Sequence, residues 1–107
     1  MGLRKECMSE LCHNRLTVLG SKAQVQPFHN SNWVRRLHAR HCELLETSPQ
    51  RFACQFETEG PLLEPLRRLS QRWLRLTFLL SYEGEANRMI GLAKAKAGQL
   101  EHWETSY

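Results

Sequence analysis

Apolar positions in the first half of the chain follow two different periods. In 14–19, Leu16 and Val18 alternate with Arg15 and Thr17 ahead of Gly20-Ser21, which predicts a strand, a turn and a helix start. Ser21 is placed to cap that helix, with Gln24 three residues on completing a capping box. From 22 to 46 the spacing becomes helical, interrupted at Pro27 and the Asn30-Ser31-Asn32 cluster. Trp33, Val34, Leu37, His41, Leu44 and Leu45 share one stripe there, and Arg35, Arg36, Arg40 and Glu43 lie largely outside it. One broken helix or two short ones are expected, followed by a turn at Thr47-Ser48-Pro49-Gln50.

The second half returns to period two. Phe52, Cys54 and Phe56 alternate with Arg51, Ala53, Gln55 and Glu57, a half-buried strand ended by Gly60-Pro61. Leu62, Leu63, Leu66, Leu69 and Trp73 then recur at helical spacing, with Pro65 tolerated only in a first turn and Arg67, Arg68, Gln71 and Arg72 on the wet side. Leu76, Phe78, Leu80 and Tyr82 alternate again, a turn containing Gly84 leads to 88–97, and Ala97-Gly98 reverses the chain into 99–105.

This order of strand, helix, strand, helix and three-strand meander predicts an α+β ferredoxin-like two-layer sandwich. Its mostly antiparallel sheet has four or five strands, with two helical segments on one face. The covered face should carry Leu16, Val18, Phe52, Cys54, Phe56, Leu76, Phe78, Leu80 and Tyr82. Thr17, Ala53, Gln55, Thr77, Leu79 and Ser81 should face the other way. Residues 1–11 read as an irregular lead-in and 12–107 as a single domain, within the size that one core supports.

Composition narrows the function classes. At 107 residues there is no room for a second, cofactor-carrying domain, and 41% hydrophobic with 24% charged residues is a globular balance. The net charge of +4 is carried mainly by arginine. If the helices share one sheet face, Arg35, Arg36 and Arg40 can join Arg67, Arg68 and Arg72 in a basic surface able to hold phosphates. The aromatics fall on the helix side and no RNP pattern is present, which argues against base stacking on the open sheet. The four cysteines form no CxxC pair, and no window reaches signal-peptide or bilayer-spanning character, so a reducing cytoplasmic setting without membrane contact is expected.

Chemistry-bearing clusters are few. His38, His41 and Cys42 would share one face of a helix at i, i+3 and i+4, with Cys12, His13 or Cys54 as a further ligand. That spacing matches no zinc module, and buried thiols with boundary histidines explain it more simply. A Cys12 or Cys42 thiolate activated by His13, His38 or His41 lacks a visible orienting group. Glu57, Glu59 and Glu64 cluster near a helix start, where the dipole accounts for them. No cofactor is expected.

Cys12-His13-Asn14-Arg15-Leu16-Thr17-Val18-Leu19-Gly20, with Val25 and Phe28 behind it, resembles the opening of the YubB-type ferredoxin-like domain proteins of bacteria, phages and plasmids. Phe56-Glu57-Thr58, the Pro61–Pro65 stretch, Leu69-Ser70, the strand 76–83 and Gly91 extend the resemblance over about residues 12–105. It implies the same two-layer fold and a home on mobile elements, and it carries no catalytic or ligand residue with it. The Arg- and His-rich segment 29–46 departs from the family's longer insertion at that place.

The expected function is a small non-enzymatic binding or assembly module, self-associating through the open sheet face or an edge strand. Trp103, Leu79, Ile90 and Leu92 are the candidate apolar patch. The alternative is a nucleic-acid-binding accessory protein that uses the arginine surface, and the third reading is a metal- or thiol-dependent enzyme.

Overall fold

The computed structural model describes residues 11–86 and 88–107. Along the chain run β1 (Leu11–Leu19), α1 (Lys22–His29), α2 (Trp33–Arg36), β2 (Arg40–Ser48), β3 (Arg51–Glu59), α3 (Leu63–Arg72), β4 (Thr77–Gly84), β5 (Met89–Lys96) and β6 (Gln99–Ser106). The strands form one sheet in the order β2-β3-β1-β4-β5-β6, every neighbour antiparallel. Residues 1–10, most of the expected lead-in, lie outside the described residues, and Leu11 already belongs to β1.

Alternation sorts the sheet into two faces, and register lines the covered face up in rows. Phe52, Val18, Phe78, Ala95 and Leu100 form one row; Cys54, Leu16, Leu80 and Ala93 lead the next. Val25 and Phe28 of α1, Trp33 and Leu37 at α2, and Leu66 and Leu69 of α3 close over these rows in a single core. Beyond Met89 at its start, β5 offers Gly91, Ala93 and Ala95 to that side, and their small size lets α3 and the Tyr82 ring come close. Every residue assigned to the covered face from alternation is buried.

At the other end of the sheet a polar pair is buried with the core. Asn14 Nδ2 donates to Thr58 Oγ1 at 2.9 Å, and Thr58 Oγ1 donates to the Gly60 carbonyl at 2.9 Å. This relay ties β1 and β3 to the turn that follows β3. The β5–β6 hairpin turns on Ala97 and Gly98, both at positive φ (51° and 83°), the backbone of a type I′ turn. Gly98 N donates to Ser70 Oγ at 2.9 Å, pinning that hairpin to α3.

The expected ferredoxin-like sandwich of four or five strands and two helical segments is overturned. Among the described residues the sheet has six strands, the helices are three short pieces, and strand outweighs helix at 53% against 23%. The difference arises at 40–48, expected as the continuation of a helix and found as β2. Every residue of β2 is exposed, so its apolar spacing answers to no core. A helix there would leave the outer edge of β3 without backbone partners; β2 supplies them. Register shifts at Arg40/Glu43 and Leu44/Glu46 bend the strand, with His41 at φ 56° inside the first. His41, Leu44 and Leu45 therefore leave the expected helical stripe, and Trp33 and Leu37 keep it. Ser21 does occupy the N-cap of α1, but through its backbone: its carbonyl accepts from Gln24 N and Val25 N, and its side chain makes no cap bond. Pro27 lies inside α1, which ends two residues later.

Candidate functional site

Two surfaces carry the residues singled out by sequence, one on each side of the sheet. On the helix side the six arginines do not form one continuous face. Arg35 and Arg36 sit on α2, Arg40 begins β2, and Arg67, Arg68 and Arg72 belong to α3. Arg36, Arg68 and Arg72 meet across a groove of 480 Å³ between α2 and α3, together with His38 and Gln71. Arg67 turns away to grip Glu64, its Nε 3.0 Å from Oε1 and its Nη2 on the other carboxylate oxygen. That hydrogen bond, followed by the charges of Arg67 and Arg68, holds the Glu64 carboxyl below its ordinary value against partial desolvation. Arg40 faces Glu59 at 3.6 Å, and Arg35 borders a separate depression with His38 and Arg40.

His38 closes α2 in a left-handed conformation, φ 55°. Its N–H donates to the Arg35 carbonyl at 3.1 Å and the Ala39 N–H to the Val34 carbonyl at 3.0 Å, the bond pair of a Schellman motif. Histidine stands where glycine is usual.

The open face divides into halves. On β1 and β3 a polar hollow of 330 Å³ includes His13, Arg15, His41, Gln55 and Glu57. His13 Nε2 lies 3.2 Å from Glu85 and its Nδ1 3.6 Å from Glu57, which also faces His41 at 3.9 Å. Across β4–β6 the surface turns apolar. Leu92 is directly opposite Trp103 on the neighbouring strand, and Leu79 and Ile90 flank the pair. Leu92 and Trp103 keep 56% and 58% of their surface in water, which is unusual for a tryptophan. Arg15, Lys94 and Glu101 edge this 590 Å³ depression.

The metal reading loses its geometric premise. His38 follows α2 whereas His41 and Cys42 lie on β2, so no helix presents the three on one face. Among the described residues no group of three or more His, Cys, Asp or Glu side chains is arranged to hold a metal ion. Cys42 is raised by desolvation, and Cys54 is pushed up to about 12 by burial first and the nearby Cys42 second. A nucleophilic Cys42 needs the opposite shift.

The Cys54 shift fixes a pH response. Between its ordinary value of 9.0 and about 12 the unfolded chain releases the proton and the folded chain keeps it. The contribution to stability is complete below the lower value and is lost as pH rises through this window. Urea unfolding at a series of alkaline pH values should show stability falling, and Cys54→Ala should make the slope shallower. An unchanged slope contradicts the burial.

No helix among the described residues is long and apolar enough to cross a membrane. Comparison of the chain with protein-family models, with curated proteins and with solved structures finds no match. The arginine groove and the His13–Glu57–His41 cluster were not separately legible in sequence. Arg68 and Arg72, one helical turn apart, signalled half of the groove, but its α2 wall depends on where the second helix stops.

Proposed function

We propose that the protein is a small non-enzymatic assembly module that self-associates through the apolar half of its open sheet face. The observation that carries the reading is the Leu92–Trp103 cross-strand pair, bare to solvent in the middle of a patch completed by Leu79 and Ile90. Trp103 keeps more than half of its surface available for burial, and Leu79, Ile90 and Leu92 extend it into a contiguous apolar surface, the kind of exposed patch that marks interaction sites.

A second copy of the chain is the occupant that the rim supports. Lys94 and Glu101 stand opposite each other in register, so the rim carries both signs. A two-fold axis through the patch can set Lys94 of one copy against Glu101 of the other, the self-complementarity that an isologous interface requires. The edge-strand route is less well supported: β2 is broken by register shifts, and pairing β6 with itself about its midpoint sets Glu101 against Glu104, like charges in opposition. This reading includes the reducing, cytoplasmic setting, with the buried Cys54 kept as a thiol.

Sedimentation velocity from low to high micromolar concentration tests it. The wild type should pass from monomer to dimer, and Trp103→Lys should stay monomeric with a thermal midpoint close to wild type, because an exposed side chain contributes little to folding. A wild type that is monomeric throughout contradicts the reading.

A further inference from the structure

The groove between α2 and α3 lies on the opposite side of the sheet from the proposed self-association surface, and its lining is electrostatically unfinished. Arg36, Arg68, Arg72 and His38 surround it, and among the described residues no carboxylate lines it. The acid nearest in sequence, Glu64, is gripped by Arg67 and pairs more loosely with Arg68, its carboxylate 3.6 Å from Arg68 Nε. Arg36 Nε donates to Asn32 Oδ1 at 3.2 Å, which orients the guanidinium and leaves its two NH₂ groups for another partner. Arg72 has no ion pair among the described residues. Arg36 and Arg72 thus line one groove with no ion pair among the described residues, beside an Arg68 that shares Glu64 with Arg67, an arrangement that matches the oxygen geometry of phosphate.

The floor is different in kind. Leu37 and Leu69 form part of it, both of them core residues, and the flat faces of guanidiniums beside an apolar floor suit a planar ring. The volume falls within the range of small-ligand sites, about 300–1,000 Å³. His38 adds an imidazole from the left-handed position that caps α2. We propose that this groove binds a phosphate ester carrying a planar ring, the chemistry shared by a free nucleotide and by one nucleotide of a single-stranded nucleic acid.

NMR titration of the full chain at low salt tests this with three probes: adenosine monophosphate, a short oligothymidylate and inorganic phosphate. Adenosine monophosphate, the oligothymidylate or both should shift the Nε–H signals of Arg36, Arg68 and Arg72 and bind at least about tenfold more tightly than inorganic phosphate. Combining Arg36→Gln with Arg72→Gln should weaken binding about tenfold or more, while Arg75→Gln, outside the groove, leaves it unchanged. Oligothymidylate binding that is tighter and falls steeply with salt assigns the groove to a strand; equal binding per nucleotide assigns it to a free nucleotide. Absence of shifts with both nucleotide probes, equal affinity for inorganic phosphate, or binding that survives the paired substitution overturns the proposal.

Discussion

Replacing Gly91 by alanine should destabilise the protein more than any other single-methyl change on the sheet. A Cβ at position 91 falls 2.2 Å from Tyr82 Cζ and 2.4 Å from its hydroxyl oxygen, so the ring must leave. Tyr82 and Gly91 are directly paired across β4 and β5, and the ring passes over the glycine to donate a 2.7 Å hydrogen bond to Glu104 on β6. The substitution combines overpacking, about 1–3 kcal/mol, with loss of a hydrogen bond to a charged acceptor, about 1.5–3 kcal/mol. A total near 4 kcal/mol corresponds to a fall in thermal midpoint of roughly 16–30 °C for a domain of this size. The mechanism is checked by a double-mutant cycle. With Tyr82→Leu already present, Gly91→Ala should cost less than about 1.5 kcal/mol, because the clashing ring atoms are gone. An equal cost in both backgrounds contradicts the ring-over-glycine contact.

Phe28→Ala should be nearly as damaging for a different reason. Phe28 is fully buried and joins the helices to the sheet: it stacks on Trp33 and Phe52 with centroids 5.8 Å away, and meets Trp73 and Phe78 edge-on at 5.2 and 5.3 Å. Truncating a buried phenylalanine costs about 3–5 kcal/mol, and the lost aromatic pairs add to that. Against a total stability of about 5–15 kcal/mol the variant should unfold at much lower urea, while Phe28→Leu should lose only about 1–2 kcal/mol. Because Phe28 links α1 to Trp33 of α2, its removal should also loosen the α2 wall of the arginine groove. Amide exchange at Leu37 and His38 that accelerates before exchange in β1 would display that coupling.

The outcome at particular residues shows which parts of this structure a sequence can announce. Period-two order placed Phe52, Phe56, Phe78 and Tyr82 beneath the helices, and all four are buried, because a strand with one covered face must alternate. The same logic put Leu79 and Trp103 on the open side or left them as patch candidates, and both are exposed there. Failure came where burial exerts no control. β2 has no buried residue, so Leu44 and Leu45 gave a helical spacing with nothing to enforce it. Its strand state is set by hairpin pairing with β3 across the Pro49-Gln50 turn, backbone bonding that the side-chain spacing of 40–48 does not contain. The fold class was misjudged through that one segment.

The candidate sites follow the same division. The apolar half of the open face was readable because alternation alone fixes which side Leu79, Ile90 and Leu92 point to. The arginine surface was readable only as a list of cations. Glu64 and Glu59 withdraw Arg67 and Arg40 from it, and the end of α2 at Leu37 decides that Arg36 turns toward Arg68 and Arg72.

One sheet face is sealed by helices, and the proposed self-association would cover part of the other. The chain's three tryptophans report on both statements: Trp33 is 5% exposed, Trp73 is partly buried and Trp103 is 58% exposed. Oxidative footprinting of the tryptophans over a dilution series measures them together. Trp103 should oxidise fastest in dilute protein and become protected as concentration rises, with Trp33 slow throughout. A Trp103 rate independent of concentration contradicts the self-association, and Trp33 reacting as fast as Trp103 contradicts the covered face itself.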